Sequence, residues 1–590
     1  MIEYREEKMK KPVIEFQNYT FQYRSQATPT LHDINLTIYE GESVLILGQS
    51  GSGKSTLGHC INGLIPFSYK GKVSGSLKIN GKETKDMDIF SISKLVGTVL
   101  QDPDGQFIGL TVGEDIAFAL ENEGLALRDM HDAVDKAART VGIENKLSAR
   151  VHELSGGQKQ KVSLAGVMVD HTGILLFDEP LANLDPATGK QAIQLISDIR
   201  KKANVTVIII EHRLEDVLAE KIDRVIVMDE GNMISDCTPD ELLSSSVLET
   251  CHIREPLYVK AAKYAGCRIT PEMHPAHLDT FQLSRCKDAL LNWYKHAKKP
   301  VARIETEPVL EIHHLSFSYK PGQPVLKNLS FTIQKGEMVS IVGKNGAGKS
   351  TLSRLICGFE QPSSGKIFYK GKDVTNDTIK ERSLRIGMVM QNPNQMISKH
   401  MIFDEIALGL ANRGIAPEEI KKRTENAMRL CGLYPFRNWP VSALSFGQKK
   451  RVTIASILVL EPDILILDEP TAGQDYMHYH EIMEFLVELN KKGITILFIT
   501  HDMHLMLEYT PRAIVLADGE KIADGSAAGI LTHPDIIRRA NLKETSLYAL
   551  ANRLHLNPES FTERFITYER GLQTNGNRNA VLYRAEIPRP

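Results

Sequence analysis

One pattern occurs twice, half a chain apart: Gly48-Gln49-Ser50-Gly51-Ser52-Gly53-Lys54-Ser55-Thr56 and Gly343-Lys344-Asn345-Gly346-Ala347-Gly348-Lys349-Ser350-Thr351. Each copy follows an apolar run, 43–47 or 338–342, of the length of a buried strand. The first runs on into Pro-free residues that read as a helix. This is a phosphate loop in its strand–loop–helix setting. Its glycines let successive backbone N–H groups turn into one concavity, and the helix start adds partial positive charge. Lys54 is then placed to reach the β- and γ-phosphates, and Ser55 to offer its hydroxyl to Mg²⁺. A chain built this way has two nucleotide sites on an α/β scaffold.

The duplication extends beyond the loops. Gln101 recurs as Gln391, Ser155 as Ser445 and Glu179 as Glu469 at one common separation, and His212 recurs as His501 at nearly the same one. The repeat is therefore one of whole domains. Each copy opens on alternating strand-like residues, 13–23 and 309–319. A helix-rich middle follows, around 114–120 and 405–410. Strand and helix then alternate again, with strands at 173–177, 205–210 and 224–228, and at 464–467, 494–499 and 513–517. This order predicts two mainly parallel sheets with ligands at the carboxyl ends of their strands. The expected divisions are a first domain at 12–240, a linker with helical segments at 241–307, a second domain at 308–535, and a helical extension with a polar tail at 536–590.

Composition excludes several classes. At 590 residues the chain is too long for a single core. Charge is nearly balanced, 71 basic against 73 acidic residues, which argues against a nucleic-acid partner. The seven cysteines show no Cys-x-x-Cys spacing, so neither a disulfide framework nor a zinc site is expected and a reducing interior fits. Residues 1–11 are charged and lack the apolar core of a signal peptide. No apolar run approaches the roughly 20 residues that span a bilayer, so work at a membrane requires a membrane partner.

Downstream of each phosphate loop an apolar strand ends in two acids, Asp178-Glu179-Pro180 and Asp468-Glu469-Pro470. The first acid of each pair suits Mg²⁺ and the second suits orienting the attacking water. The same triplet serves elsewhere as a helix N-cap with Pro behind it, but the upstream loop in both copies favours the chemical role. Between loop and acids stands Ser155-Gly156-Gly157-Gln158, a second anion-friendly helix start or a plain N-cap with a tight turn. One nucleotide rarely needs two such starts, so this one is expected to serve a neighbour's phosphates.

Phosphate loop, Gln101, Leu-Ser-Gly-Gly-Gln, strand-Asp-Glu and His212, in that order and twice, resemble the ATP-binding cassette (ABC) ATPases over nearly the whole chain outside linker and tail. The resemblance implies two tandem P-loop NTPase domains of α/β class, each with a mainly parallel sheet, a β-rich N-terminal part and a helical subdomain. It implies that the cassettes pair head to tail within one chain, each ATP lying between one P-loop and the other cassette's signature. The P-loop contacts would be Gly48, Ser50, Gly51, Gly53, Lys54, Ser55 and Thr56, and Gly343, Asn345, Gly346, Gly348, Lys349, Ser350 and Thr351. The signature contacts would be Ser155, Gly156, Gly157 and Gln158, and Ser445, Gly447 and Gln448. Ser55, Gln101 and Asp178, and Ser350, Gln391 and Asp468, would attend Mg²⁺. Glu179, His212 and Gln101, and Glu469, His501 and Gln391, would be the catalytic groups. Asp185 and Asp475 match the D-loop aspartate, and Tyr23 and Tyr319 fall where an aromatic stacks on adenine or, alternatively, packs a core.

Residues 101–107 and 391–396 resemble the extended Q-loop of energy-coupling factor transporter ATPases, where a short helix lines the groove for a transmembrane partner; a Pro-Asp or Pro-Asn turn is the plainer alternative. The double cassette is most similar to the hydroxymethylpyrimidine/thiamine type. A transmembrane energy-coupling protein, a substrate-binding membrane protein and a place on the cytoplasmic face of the membrane follow from that resemblance. Competing expectations are a soluble double cassette acting on ribosomes or nucleic acid, and the ATPase of a sugar importer. One departure stands out: the second signature carries Phe446 in place of a glycine, and Phe avoids positive φ and adds bulk beside a phosphate. The first P-loop, expected to face that signature, is therefore expected to be the slower site.

Overall fold

A computed structural model describes residues 11–101, 105–170, 172–182, 184–298 and 307–576, with side chains to residue 572. The chain divides into two units, Met1–Leu290 and Leu291–Pro590. Part of the first Q-loop segment, Asp102 to Asp104, the start of the chain and the end of the polar tail lie outside the described residues.

In the first unit an antiparallel sheet runs in the order Leu31–Tyr39, Pro12–Tyr23, Gly71–Ile79, Lys82–Glu83. A six-stranded sheet follows, ordered Asn232–Cys237, Arg224–Asp229, Ser43–Gly48, Thr206–Ile210, Ile174–Asp178, Val96–Val99. All of its pairings are parallel except the one at the Asn232–Cys237 edge. Val44, Leu45, Ile46 and Leu47 are fully buried, as expected of a strand covered on both faces. Truncating Leu45, Ile46 or Leu47 to Ala would cost about 2–5 kcal/mol. The helical part comprises Val112–Asn122, Leu127–Val141 and Gly156–Met168, the first closed by a reciprocal Thr111–Glu114 capping box.

The second unit repeats this plan. Its antiparallel sheet is Leu326–Gln334, Pro308–Phe317, Ser364–Tyr369, Lys372–Asp373. Its main sheet runs Ile386–Val389, Ile464–Asp468, Thr495–Ile499, Met338–Val342, Arg512–Ala517, Glu520–Gly525, and Ile402–Asn412, Pro417–Leu430 and Phe446–Leu458 are its helices. The tail holds two helices, Ser546–Arg553 and Pro558–Gly576.

Residues after Cys237 fold onto the first unit as a lobe containing helices Pro239–Ser244, Val247–Thr250 and Leu257–Tyr264. Leu242, Leu248, Val259, Ala261 and Cys286 are fully buried there. The expectation of no disulfide is corrected at this point: Cys267 and Cys286 are bonded, their Cα atoms 5.6 Å apart. Short turns at Pro271–Met273 and Leu283–Arg285 return the chain on itself, a closure that no short cysteine spacing announces. Cysteine usage therefore gives no support for a reducing compartment. Among the described residues no helix is long and apolar enough to cross a membrane.

Candidate functional site

Four neighbouring parallel strands of each main sheet deliver the chemical residues to one rim. In the first unit the P-loop leaves Ser43–Gly48, Glu211-His212 leaves Thr206–Ile210, Asp178-Glu179 ends Ile174–Asp178, and Gln101 follows Val96–Val99. Carboxyl ends of parallel strands are where α/β sheets gather ligands.

Each P-loop coils around its own lysine. Gly51 and Gly53 take φ of 81° and 97°, values open to glycine, and helix Lys54–Ile61 begins directly behind them. Lys54 is nearly buried, and its Nζ donates to the carbonyls of Gly48 at 2.8 Å and Gln49 at 2.6 Å. Lys349 does the same to Gly343 at 2.7 Å and Lys344 at 3.1 Å, ahead of helix Lys349–Cys357. Ser55, Thr56, Ser350 and Thr351 occupy those first helical turns. Tyr23 lies half-buried with its hydroxyl 3.2 Å from Thr56 Oγ1, whereas Tyr319 is 51% exposed.

The paired acids do not cap a helix. Asp178 and Asp468 end their strands, and the next helices start only at Pro186 and Tyr476. Those helices are capped instead by Asp185 and Asp475 through the N–H groups of Thr188 and His478. Burial, and then the neighbouring glutamate, push Asp178 and Asp468 each up to about 6. Asp178 Oδ1 is buried without a hydrogen-bond partner, and Ser350 Oγ donates to Asp468 Oδ2 at 3.5 Å. A buried acid oxygen beside a P-loop lysine and serine fits a divalent cation. Among the described residues no three His, Cys, Asp or Glu cluster as a metal cage, so such an ion would draw its remaining oxygens from phosphate and water.

Glu179 and Glu469 take φ of 48° and 46°, a left-handed backbone that costs a non-glycine residue about 1–3 kcal/mol. Their N–H groups are pinned by Ile210 and Ile499 carbonyls at 2.9 and 2.8 Å. From there the two carboxylates meet different partners. Gln101 Nε2 donates to Glu179 Oε2 at 2.5 Å, and His212 Nδ1 stands 3.9 Å from Glu179 Oε1. Glu469 receives Thr500 Oγ1 at 3.1 Å and has His501 Nδ1 at 2.7 Å. Beneath it the buried ammonium of Lys450 donates to the carbonyls of Gln391 at 2.8 Å and Glu469 at 3.1 Å. Burial pushes that amine down to about 8.

The signatures start helices Gly156–Met168 and Phe446–Leu458 through matching capping boxes. Gln158 and Gln448 bond back to the N–H of Ser155 and Ser445, each at 3.0 Å. Gly157 and Gly447 follow in the first turns. The concern over φ at position 446 is corrected: Phe446 is the first residue of a right-handed helix and, like Gly156, takes no positive φ. What remains is its ring, 43% exposed.

The sequence reading passed over Glu211, Lys450 and Gln49. Glu211 is fully buried beside His212, and Gln49 Nε2 reaches out of the P-loop to the Cys251 carbonyl of the lobe at 2.8 Å. The first was visible as an acid closing an apolar run one residue before a histidine.

The ABC transporter family model matches residues 31–182 and 326–472, and a second model, described as an ATP-binding cassette cobalt transporter, matches 245–317. A protein named as an ABC transporter ATP-binding protein from Clostridium perfringens is 58% identical over 95% of this chain and 99% of its own length. One of the same description from Enterococcus faecalis is 57% identical over 95% and 99%. A solved structure described as cbiO1 from Clostridium perfringens, part of the ABC transporter complex cbiONQ, is 36% identical, covering 42% of this chain and 99% of that one, with a TM-score of 0.38.

Proposed function

The chain belongs to the ABC transporter family as an ATP-hydrolysing subunit with two cassettes, and from that premise we propose that it drives an importer of the energy-coupling factor type through membrane partners. Each ATP lies on one P-loop, with Lys54 or Lys349 on its phosphates and the other cassette's signature closing over it. Glu179 and Glu469 orient and deprotonate the lytic water, His212 and His501 hold the γ-phosphate, and Gln101 and Gln391 couple that centre to the subunit surface. A Mg²⁺ ion held by Ser55 and Asp178, or Ser350 and Asp468, supplies charge neutralisation of the phosphates. Tyr23 and Tyr319 flank the adenine.

The observation that carries the membrane partner is the apolar exit of the first Q-loop. Ile108 and Leu110 are 63% and 80% exposed, seven and nine residues after a glutamine that touches Glu179. Two bare aliphatic side chains there suit a partner helix, and their movement passes through Gln101 to the water-orienting acid. The protein then works at the cytoplasmic face of the membrane, beside a transmembrane coupling protein and a substrate-binding membrane protein.

The cargo of this reading is a vitamin or vitamin precursor of the thiamine or hydroxymethylpyrimidine kind. The family model matched at 245–317 favours cobalt ion as a second reading. Co-expression with the transmembrane partner, followed by uptake of radiolabelled thiamine, hydroxymethylpyrimidine and Co²⁺, decides between them. Membrane recovery of the chain without any partner, or ATP-independent uptake, would count against the importer reading.

A further inference from the structure

The two rims differ at the residue before the histidine: Glu211 precedes His212 where Thr500 precedes His501. Thr500 is small and gives its hydroxyl to Glu469, and the imidazole of His501 meets the same carboxylate at 2.7 Å. Glu211 has no hydroxyl to give. It is fully buried and fixed by three backbone N–H groups, those of Leu181 at 3.2 Å, His212 at 2.7 Å and Arg213 at 3.0 Å. Its Oε2 stands 3.3 Å from His212 Nδ1, nearer than the 3.9 Å to Glu179 Oε1. The first histidine thus lies nearer the second acid, while Glu179 accepts from Gln101.

We propose that Glu211 is a positioning residue that holds His212 away from Glu179 and sets the first ATP site to a slower hydrolytic step than the second. The inference rests on the ATPase reading above and adds a cause, within the first cassette itself, for unequal sites. It acts on geometry. A side chain clamped by three N–H groups does not swing aside, so the imidazole keeps a second carboxylate oxygen 3.3 Å away throughout. Proton transfer and γ-phosphate contacts depend on sub-ångström placement, so a displaced histidine lowers the rate more than the affinity.

Two reciprocal exchanges in the full chain test this. With the second site silenced by Glu469→Gln, Glu211→Thr is expected to raise single-turnover ATP cleavage about tenfold while KM moves less than about twofold. With the first site silenced by Glu179→Gln, Thr500→Glu is expected to slow cleavage by about the same factor. A crystal structure of Glu211→Thr gives a readout apart from turnover: His212 closes on Glu179 to hydrogen-bond distance. An unchanged rate in either arm, a change confined to KM, or a ring that keeps its distance from Glu179 overturns the proposal. Where Glu211→Thr fails to fold, the Thr500→Glu arm decides alone. Lys54→Ala combined with Lys349→Ala separates the two levels. Undiminished hydrolysis there defeats the ATPase reading itself, whereas lost hydrolysis with neutral exchanges at 211 and 500 defeats only the role of Glu211.

Discussion

His501 and Glu469 meet directly: imidazole Nδ1 lies 2.7 Å from Oε1, and the histidine N–H donates to the same oxygen at 3.1 Å. In the proposed mechanism the pair fixes both the carboxylate assigned to the lytic water and the ring assigned to the γ-phosphate. With the first site silenced by Glu179→Gln, His501→Ala is expected to cut single-turnover ATP cleavage by about 10²–10⁴-fold, the range for loss of a positioned acid–base group. ATP binding, followed by a fluorescent analogue, should fall much less. Equal losses in both measurements would show the pair to be a binding element only.

Under the head-to-tail pairing proposed above, the bulk of Phe446 is expected to act on the first P-loop rather than on its own helix. Phe446→Gly leaves the capping box of Ser445 and Gln448 in place. It replaces an exposed ring by the residue of lowest helix propensity after proline, at a cost of up to about 1 kcal/mol. Single-turnover cleavage in a Glu469→Gln background is expected to rise in this variant. The Glu179→Gln and Glu469→Gln proteins themselves are expected to differ in residual rate, and identical rates would remove the asymmetry altogether.

The second D-loop carries a pH-dependent contact. His478 Nδ1 lies 2.8 Å from Asp475 Oδ1, and that bond holds the imidazole above its ordinary 6.5 against the opposing effect of burial. A base with a raised folded pKa lends stability that is complete below the unfolded value and fades as pH rises through the folded one. Thermal unfolding of the second unit is therefore expected to drop between about pH 6 and about pH 8 by more in the native chain than in His478→Thr. The threonine copies position 188 of the first half, and the backbone cap from Asp475 is retained. Parallel pH curves would rule the contact out as a stabiliser.

Reduction is expected to loosen the lobe. The Cys267–Cys286 bond closes a loop of 19 residues, which in the chain-entropy description contributes about 3 kcal/mol. Cys267→Ser with Cys286→Ser, or dithiothreitol on the native chain, should lower the first unit's unfolding midpoint and speed proteolysis within 245–290. The second unit's transition should stay where it is.

Most of the candidate rim was legible because its motifs are local in sequence. Glycine spacing, an apolar run of strand length, and acids at its end all sit within a few residues of one another. What escaped depends on contacts between distant segments. Lys450 stands one turn into a helix and reads as a solvated lysine, yet it is buried against carbonyls from two other loops. The lobe read as a linker because its helices are short and its core comes from residues spread over fifty positions. A signal was present all the same: Leu257-Tyr258 and Ala261 recur as Leu547-Tyr548 and Ala551, at the separation that relates Glu179 to Glu469. The duplication thus runs through the appended helices as well. The expectation at Phe446 failed for a simpler reason, since a helix's first residue needs no left-handed backbone.

Gln49 belongs to the first phosphate loop, yet its amide answers to Cys251, more than two hundred positions along the chain. The corresponding Lys344 answers to Asp518 in its own cassette. A change in the first loop on nucleotide binding would therefore act on a contact with the disulfide-braced lobe. The first loop is thus tied by its side chain to the appended lobe and the second to a loop of its own cassette, so the two start from different surroundings.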